Sequence, residues 1–328
     1  MESNGLAAGF ESIMNKPQRI VSFLPSATEI ACALGLSEEL VGITHECDYP
    51  PEVIGKPVVV RNALPVEQMN QGEIDAAVAE RMRSGESLYV VDEELLRTLN
   101  PDLIMTQDLC QVCAPSGNEV SQALKTLAGK PDILWLTPVT LDQIFGNIRQ
   151  LGEATGRARE AEALISAGQG RLNEIAAKSS KLSVRRRVCC LEWLDPIYCA
   201  GHWVPEMVRL AGGIDVSPHE GKDSVRFAWD EVVSWAPEVI IIMPCGFNLE
   251  KVIELAPQLF SRPSWSELPA VRNGRVYAVD ANSYFARPGP RVVEGTELLA
   301  HLINPENFSW SGPANAYRRV EYESAPSA

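Results

Sequence analysis

Between Gly42 and Glu52 the chain reads GITHECDYPPE, setting His45, Glu46, Cys47, Asp48 and Tyr49 side by side directly after an apolar run with strand character. Imidazole, thiol and carboxylate in one short segment suit three uses: a metal site, a catalytic centre, or the polar rim of a pocket. Residues of the same types recur further on. Cys110 and Cys113 form a lone C-x-x-C after Gln107, His202 and Trp203 follow Glu192 and Trp193, and Cys245 precedes Phe247. As a metal set, His45, Cys47, Cys110, Cys113, His202 and Cys245 would take zinc or iron, with Asp48 and Glu192 available as oxygen ligands. Their spacing does not support this strongly, because a zinc ribbon needs a second nearby cysteine pair. The competing reading packs the thiols as small apolar groups, as for Cys32 in the first helix and for one of Cys189 and Cys190, which alternate along a strand. The C-x-x-C lacks a thioredoxin-like setting, and no local nucleophile signature accompanies the cysteines and histidines.

The elements that must position these residues are short apolar strands followed by helices. IVSFLP (20–25) has strand composition and leads into SATEIACALGL, where Ser26 and Glu29 have capping-box spacing and Gly35 stands at the helix stop. LVGIT (40–44), PVVV (57–60) and DILWLTP (132–138) read as further strands, and DEELLRTLNPDLIMTQ (92–107) as a helix, a proline break and a strand. In the second half RVCCLEWL (187–194) is a strand, and VPEMVRLAGG (204–213) is a helix with Pro205 at its start and glycine at its end. DEVVSWAPEVIIIMPCG (230–246) echoes DEELLRTLNPDLIMTQDLC (92–110), which makes internal duplication the economical explanation. GRVYAVDANSYF (274–285) and RPGPRVVEGTELLAHLINP (287–305) supply a late strand and a closing helix. This alternation predicts an α/β fold of two Rossmann-like lobes with mainly parallel sheets.

Between the halves, Leu141, Ile144, Phe145, Ile148, Leu151, Leu164, Ile165, Leu172 and Ile175 recur at helical spacing, with Thr140 and Gln143 placed to cap the start. One helix of about 40 residues would reach about 60 Å. Five glycines in the stretch keep a kink or a two-helix reading open. The expected organisation is a flexible N-terminus (1–16), a first lobe (17–139), a linking helix (140–182), a second lobe (183–305) and a loose tail (306–328).

A chain of 328 residues with 45% hydrophobic content can bury two cores. Its 29 Lys and Arg against 43 Asp and Glu, net −14, would repel nucleic acid and anionic lipid surfaces. The first residues lack the charged leader and apolar stretch of a secretory signal, and no run approaches membrane-spanning length. The expectation is a cytoplasmic protein without membrane insertion, its eight cysteines reduced.

In open parallel sheets ligands bind beyond the carboxyl ends of the strands. That rule gathers Ser26, the 45–49 segment, Arg61, and Gln107 with Cys110 and Cys113 from the first half. From the second half it gathers Glu192, Trp193, His202, Trp203, Cys245, Phe247, Asn282, Tyr284, Phe285 and Arg287. Trp193, Trp203, Phe247, Tyr284 and Phe285 could offer flat apolar faces, whereas Trp135, Trp229 and Trp235 have core surroundings. Arg287 could meet an anionic group or pair with Glu192 or Asp48, and Arg61 is a weaker candidate for the same duty. His219 falls in a solvated loop, and His301 in the closing helix.

The order IVSFLPSATEIACALGL…LVGIT, LNPDLIMTQ, a long linking helix, WDEVVSWAPEVIII and WSELPAVRNGRVYAVD resembles the helical-backbone substrate-binding proteins of vitamin B12, siderophore and haem transporters, nearest the cobalamin-binding branch. The resemblance spans residues 19–305. It implies two lobes joined by a stiff helix, ligand between them, and little closure on binding. The implied ligand is a cobalamin-like compound, another tetrapyrrole or a metal chelate, with His45 or His202 on its metal. A transporter permease would be the partner only of an exported protein. The thiols and imidazoles along the cleft edge leave open a metal- or thiol-dependent enzyme on the same scaffold, or a metal-trafficking protein.

Overall fold

The computed structural model describes residues 16–107, 127, 129–217 and 220–322. The first lobe holds strands β1 (Ile20–Ser22), β2 (Leu40–Thr44), β3 (Val58–Asn62), β4 (Tyr89–Val91), β5 (Leu103–Thr106) and β6 (Asp132–Trp135) in one sheet ordered β4-β3-β2-β1-β5-β6. Every pairing is parallel except β3 with β4. Its helices are α1 (Pro25–Ala33), α2 (Gln71–Ser84) and α3 (Glu93–Leu99). The linking stretch forms α4 (Leu141–Thr155) and α5 (Ala158–Ser179).

The second lobe adds β7 (Arg186–Leu194), β8 (Ile197–Cys199), β9 (Gly213–Asp215), β10 (Val225–Arg226), β11 (Val239–Ile242), β12 (Val276–Val279) and β13 (Tyr317–Arg319). Six run in the order β10-β8-β7-β11-β12-β13, and β9 also pairs with β7. The lobe's helices are α6 (Val204–Leu210), α7 (Trp229–Trp235), α8 (Leu249–Leu255), α9 (Pro269–Arg272), α10 (Ala281–Tyr284) and α11 (Val292–Ile303). Beyond residue 305 the chain is part of the fold: β13 closes an edge of the sheet against β12, and the tail that composition marks as loose carries Phe308 and Ala316 into the core.

The halves share one local device. In each, a helix ends on a left-handed residue before a proline, Asn100 (φ 43°) ahead of β5 and Ala236 (φ 51°) ahead of β11. A left-handed residue closes the last helical turn, and the proline then commits the chain to extended structure. The duplicated sequence pattern is thus a duplicated backbone path.

The single 40-residue rod is replaced by the two-helix alternative. Gly156 takes φ 69°, a conformation open to glycine, and caps α4 by donating to the carbonyls of Gly152 and Glu153. The chain then doubles back: Arg149 on α4 pairs with Glu162 on α5 at 2.5 Å. Gly168 on α5 lies against Phe145 on α4, where a Cβ would approach the ring to 2.9 Å. Thr140 caps α4 as its spacing predicts, its hydroxyl accepting from the Gln143 amide. The long element that joins the lobes is α5, 22 residues or about 33 Å.

One core runs through both lobes. Ile20, Leu103 and Met105 from the first sheet, Ile144, Phe145 and Ile148 from α4, Ile165 and Leu172 from α5, and Val188, Cys190 and Ile241 from the second sheet form a single apolar cluster. The opposite faces bury separate clusters, with Val21, Val59 and Ile104 in the first lobe and Cys189, Leu191 and Ile240 in the second. Strand alternation explains the split, since successive side chains leave a strand on opposite faces. It also means that Cys189 and Cys190 are both core, one on each face, where alternation alone placed only one. Each fully buried Leu or Ile contributes roughly 1.5–3 kcal/mol, so this shared cluster fastens both lobes to the helix pair. Trp135 is 38% exposed rather than core, because β6 is the edge strand and its outer face has no helix to cover it among the described residues.

Candidate functional site

The first wall begins where β2 ends. His45 follows Thr44, its amide donates to the Val60 carbonyl, and its Nδ1 lies 3.1 Å from that same oxygen. A carbonyl only accepts, so Nδ1 is the donor in this bond. Nε2 is buried without a hydrogen-bond partner, the nearest charge being Glu46 Oε1 at 4.0 Å. Cys47 turns the other way. Its Sγ lies 3.0 Å from Thr28 Oγ1 on α1, and burial pushes its thiol up to about 12. A thiol so placed is a poor nucleophile near neutral pH.

The second wall begins at the carboxyl end of β7. Ser224 Oγ lies 2.8 Å from both carboxylate oxygens of Glu192, and burial raises the Glu192 pKa while Ser224, His202 and the Gly201 amide oppose it. His202 adopts φ 53°, with Nε2 3.3 Å from Asp223 Oδ1. Trp193 stacks on Phe247 with ring centroids 5.8 Å apart and planes at 24°, both rings half-buried. The Cys245 amide donates to the Glu192 carbonyl, and the Asn282 amide to the Phe247 carbonyl, which ties three strand-end loops into one surface.

Direct hydrogen bonds cross between the lobes in two places among the described residues. At the first, Arg287 donates to Asp48 Oδ1 at 2.5 Å and to the Glu46 carbonyl at 2.7 Å, with Glu29 Oε1 at 3.5 Å. Arg291 clamps Glu29 with two bonds of 2.8 and 2.6 Å and lies 4.1 Å over the Tyr49 ring. Burial raises the Glu29 pKa, with both guanidiniums pulling against it. At the second, the Leu194 amide donates to Gln71 Oε1 at 3.2 Å. Both wall segments, 45–49 and 192–195, therefore reach the opposing lobe.

A profile of the family described as periplasmic binding protein matches residues 20–283. The chain belongs to the periplasmic binding protein family. It is 27% identical over 304 residues to the ABC transporter substrate-binding lipoprotein YvrC of Bacillus subtilis, covering 90% of this chain and 83% of that protein. It is also 27% identical over 296 residues to the vitamin B12-binding protein of Vibrio cholerae, covering 89% and 92%. Among solved structures it superposes on the periplasmic vitamin B12-binding protein BtuF of Vibrio cholerae (TM-score 0.63, 23% identity, 88% and 98% covered). A periplasmic haem-binding protein of Pseudomonas aeruginosa gives TM-score 0.70 at 19% identity, with 94% and 100% covered. The two-lobed α/β fold is thus that of the helical-backbone substrate-binding proteins, and the chain is a substrate-binding protein of the ABC-transport type.

Within this periplasmic binding protein several expected ligand contacts lie elsewhere. Trp203 is 6% exposed, its Nε1 donating to the Phe285 carbonyl, and Tyr284 and Phe285 are buried in the shared core, so these rings offer no face to a ligand. Ser26 is buried, and the capping box does not form: α1 is preceded by Leu24, which makes no side-chain cap. Gly289 of the opposing lobe lies against Ser26 and Glu29. Gln107 is buried and Arg61 exposed at the ends of β5 and β3. Cys110 and Cys113 lie outside the described residues, as does His219. Among the described residues no three His, Cys, Asp or Glu side chains gather as a metal would require, and two members of the expected zinc or iron set, Cys110 and Cys113, lie outside those residues. No described helix is long and apolar enough to cross a membrane.

Glu29 and Arg291 were not legible as site residues. Glu29 has the spacing of a helix cap, and Arg291 is simply the second arginine of RPGPR. The available signal was an acid within the otherwise apolar helix SATEIACALG, which a buried position obliges to find a cation.

Proposed function

We propose that this substrate-binding protein holds a cobalamin-like compound, or another tetrapyrrole or metal chelate, between its lobes and delivers it to a membrane permease. The observation that carries the reading is the half-buried Trp193–Phe247 stack beside Glu192, at the carboxyl end of β7. Aromatic faces suit a large flat ligand, and a few polar groups beside them fix its orientation. Likeness to the vitamin B12-binding protein of Vibrio cholerae along nearly the whole chain supports the ligand class. A permease partner places the protein outside the cytoplasmic membrane. Recovery from the cytosolic fraction of source cells alone would reject that placement.

Titration with cyanocobalamin, hydroxocobalamin and haemin tests the ligand. The expected result is saturable binding with a spectral change for at least one of them, weakened at least about tenfold in Trp193→Ala, as for a lost aromatic anchor. No heat and no spectral change with any of the three at tens of micromolar would end the proposal.

A further inference from the structure

The two lobe-to-lobe contacts differ in kind. On one side, two guanidiniums, two carboxylates, a backbone carbonyl and the Tyr49 ring form a charged network whose centre, Glu29, is buried. On the other side a single neutral bond joins the Leu194 amide to Gln71 Oε1, with both residues buried. The Gln71 amide is only half satisfied, because Nε2 is buried without a hydrogen-bond partner. Gly72, next to Gln71, lies beside the β7–β8 turn, where a Cβ would make an ordinary 3.4 Å contact with Asp195 Oδ2.

Opening the second contact exposes Gln71 Nε2 and the Leu194 amide to water, which satisfies both. Opening the first breaks several charge-assisted hydrogen bonds around Glu29, Arg287 and Arg291 at once, against one neutral bond at the second. The second contact therefore yields first. We propose that Gln71 is the gate residue of the cleft, that the lobes part on its side, and that Glu29, Arg287 and Arg291 are the pivot. That the opening admits ligand rests on the cleft reading above. The gate itself does not, because it is a property of the ligand-free protein.

Amide hydrogen exchange resolved to single residues tests it on the full chain without ligand. In Gln71→Met, and again in Gln71→Ala, the Leu194 amide should exchange about fivefold faster, as for one lost neutral hydrogen bond, while the amides of Ile240, Ile241 and Ile242 keep wild-type rates. Glu29→Gln should speed exchange along α1 and leave Leu194 closer to wild type than either Gln71 variant does. Unchanged Leu194 exchange in both Gln71 variants, or a larger effect on it from Glu29→Gln, overturns the gate. In parallel, stopped-flow mixing with hydroxocobalamin should show faster association in Gln71→Met. Altered exchange without any cobalamin response in any variant supports the gate and rejects the ligand assignment.

Discussion

Two residues with the same formal chemistry part company over which way the backbone aims them. His45 and Cys47 lie two positions apart in THECDY, yet His45 anchors Nδ1 on Val60 while Cys47 is folded under α1 against Thr28. With its thiol near 12, Cys47 should be almost wholly un-ionised at pH 8. Iodoacetamide should leave it unmodified in the native protein and label it after denaturation, as peptide mass mapping would show. Asp215 makes a second prediction. Burial raises its carboxyl to about 7, although the Ser217 amide donates to Oδ1 at 2.7 Å. In the unfolded chain it ionises near about 4, so between roughly pH 4 and 7 the folded state holds the extra proton and stability falls as pH rises. Asp215→Asn should lose that slope and gain on the wild type by on the order of 2–4 kcal/mol from pH 4 to pH 8, read from urea unfolding. Neither the burial of Cys47 nor that of Asp215 has a local signal, because one side chain's surroundings come from segments remote in sequence.

At the scale of elements, strand and helix positions were legible wherever periodicity was strong. Strands β1, β2 and β11 form within IVSFLP, LVGIT and VIIIMP, and Thr140 caps the start of its helix. The failure at the linking helix is instructive. Apolar spacing runs across Gly156 without a break, because the two helices bury facing stripes on each other and so continue one pattern. Glycines that look alike in the sequence then have different roles. Gly168 admits the Phe145 ring, so Gly168→Leu should cost about 1–3 kcal/mol by overpacking. Gly146 has nothing within 4 Å of its would-be Cβ, so Gly146→Ala should stabilise by up to ~1 kcal/mol. Thermal melts of the two variants should move in opposite directions.

For the whole molecule, the continuous core through α4 and α5 and the Glu29 network fasten the two lobes to each other. Removing Glu29 leaves the Arg287 and Arg291 guanidiniums, both on the second lobe, at the seam without their shared carboxylate. Glu29→Ala should therefore cost about 3–5 kcal/mol, measured by denaturant unfolding. A double-mutant cycle with Arg291→Met should show a coupling well above that of an exposed pair such as Arg83 with Glu80.

From the order of its residues alone, this chain declared two α/β halves, with β1, β2, β3, β5 and β6 in one and β7, β11 and β12 in the other. Those features follow from periods of about 2 and 3.6 residues that a short window contains. Loops beyond the strand ends carry no period. Only the tertiary fold decided that Trp193 stays half-buried against Phe247 while Trp203 is sunk in the core, and that Glu29 meets arginines 258 and 262 positions away. Such pairings arise when two separately patterned sheets are brought together, and no local stretch of sequence encodes the distance between them.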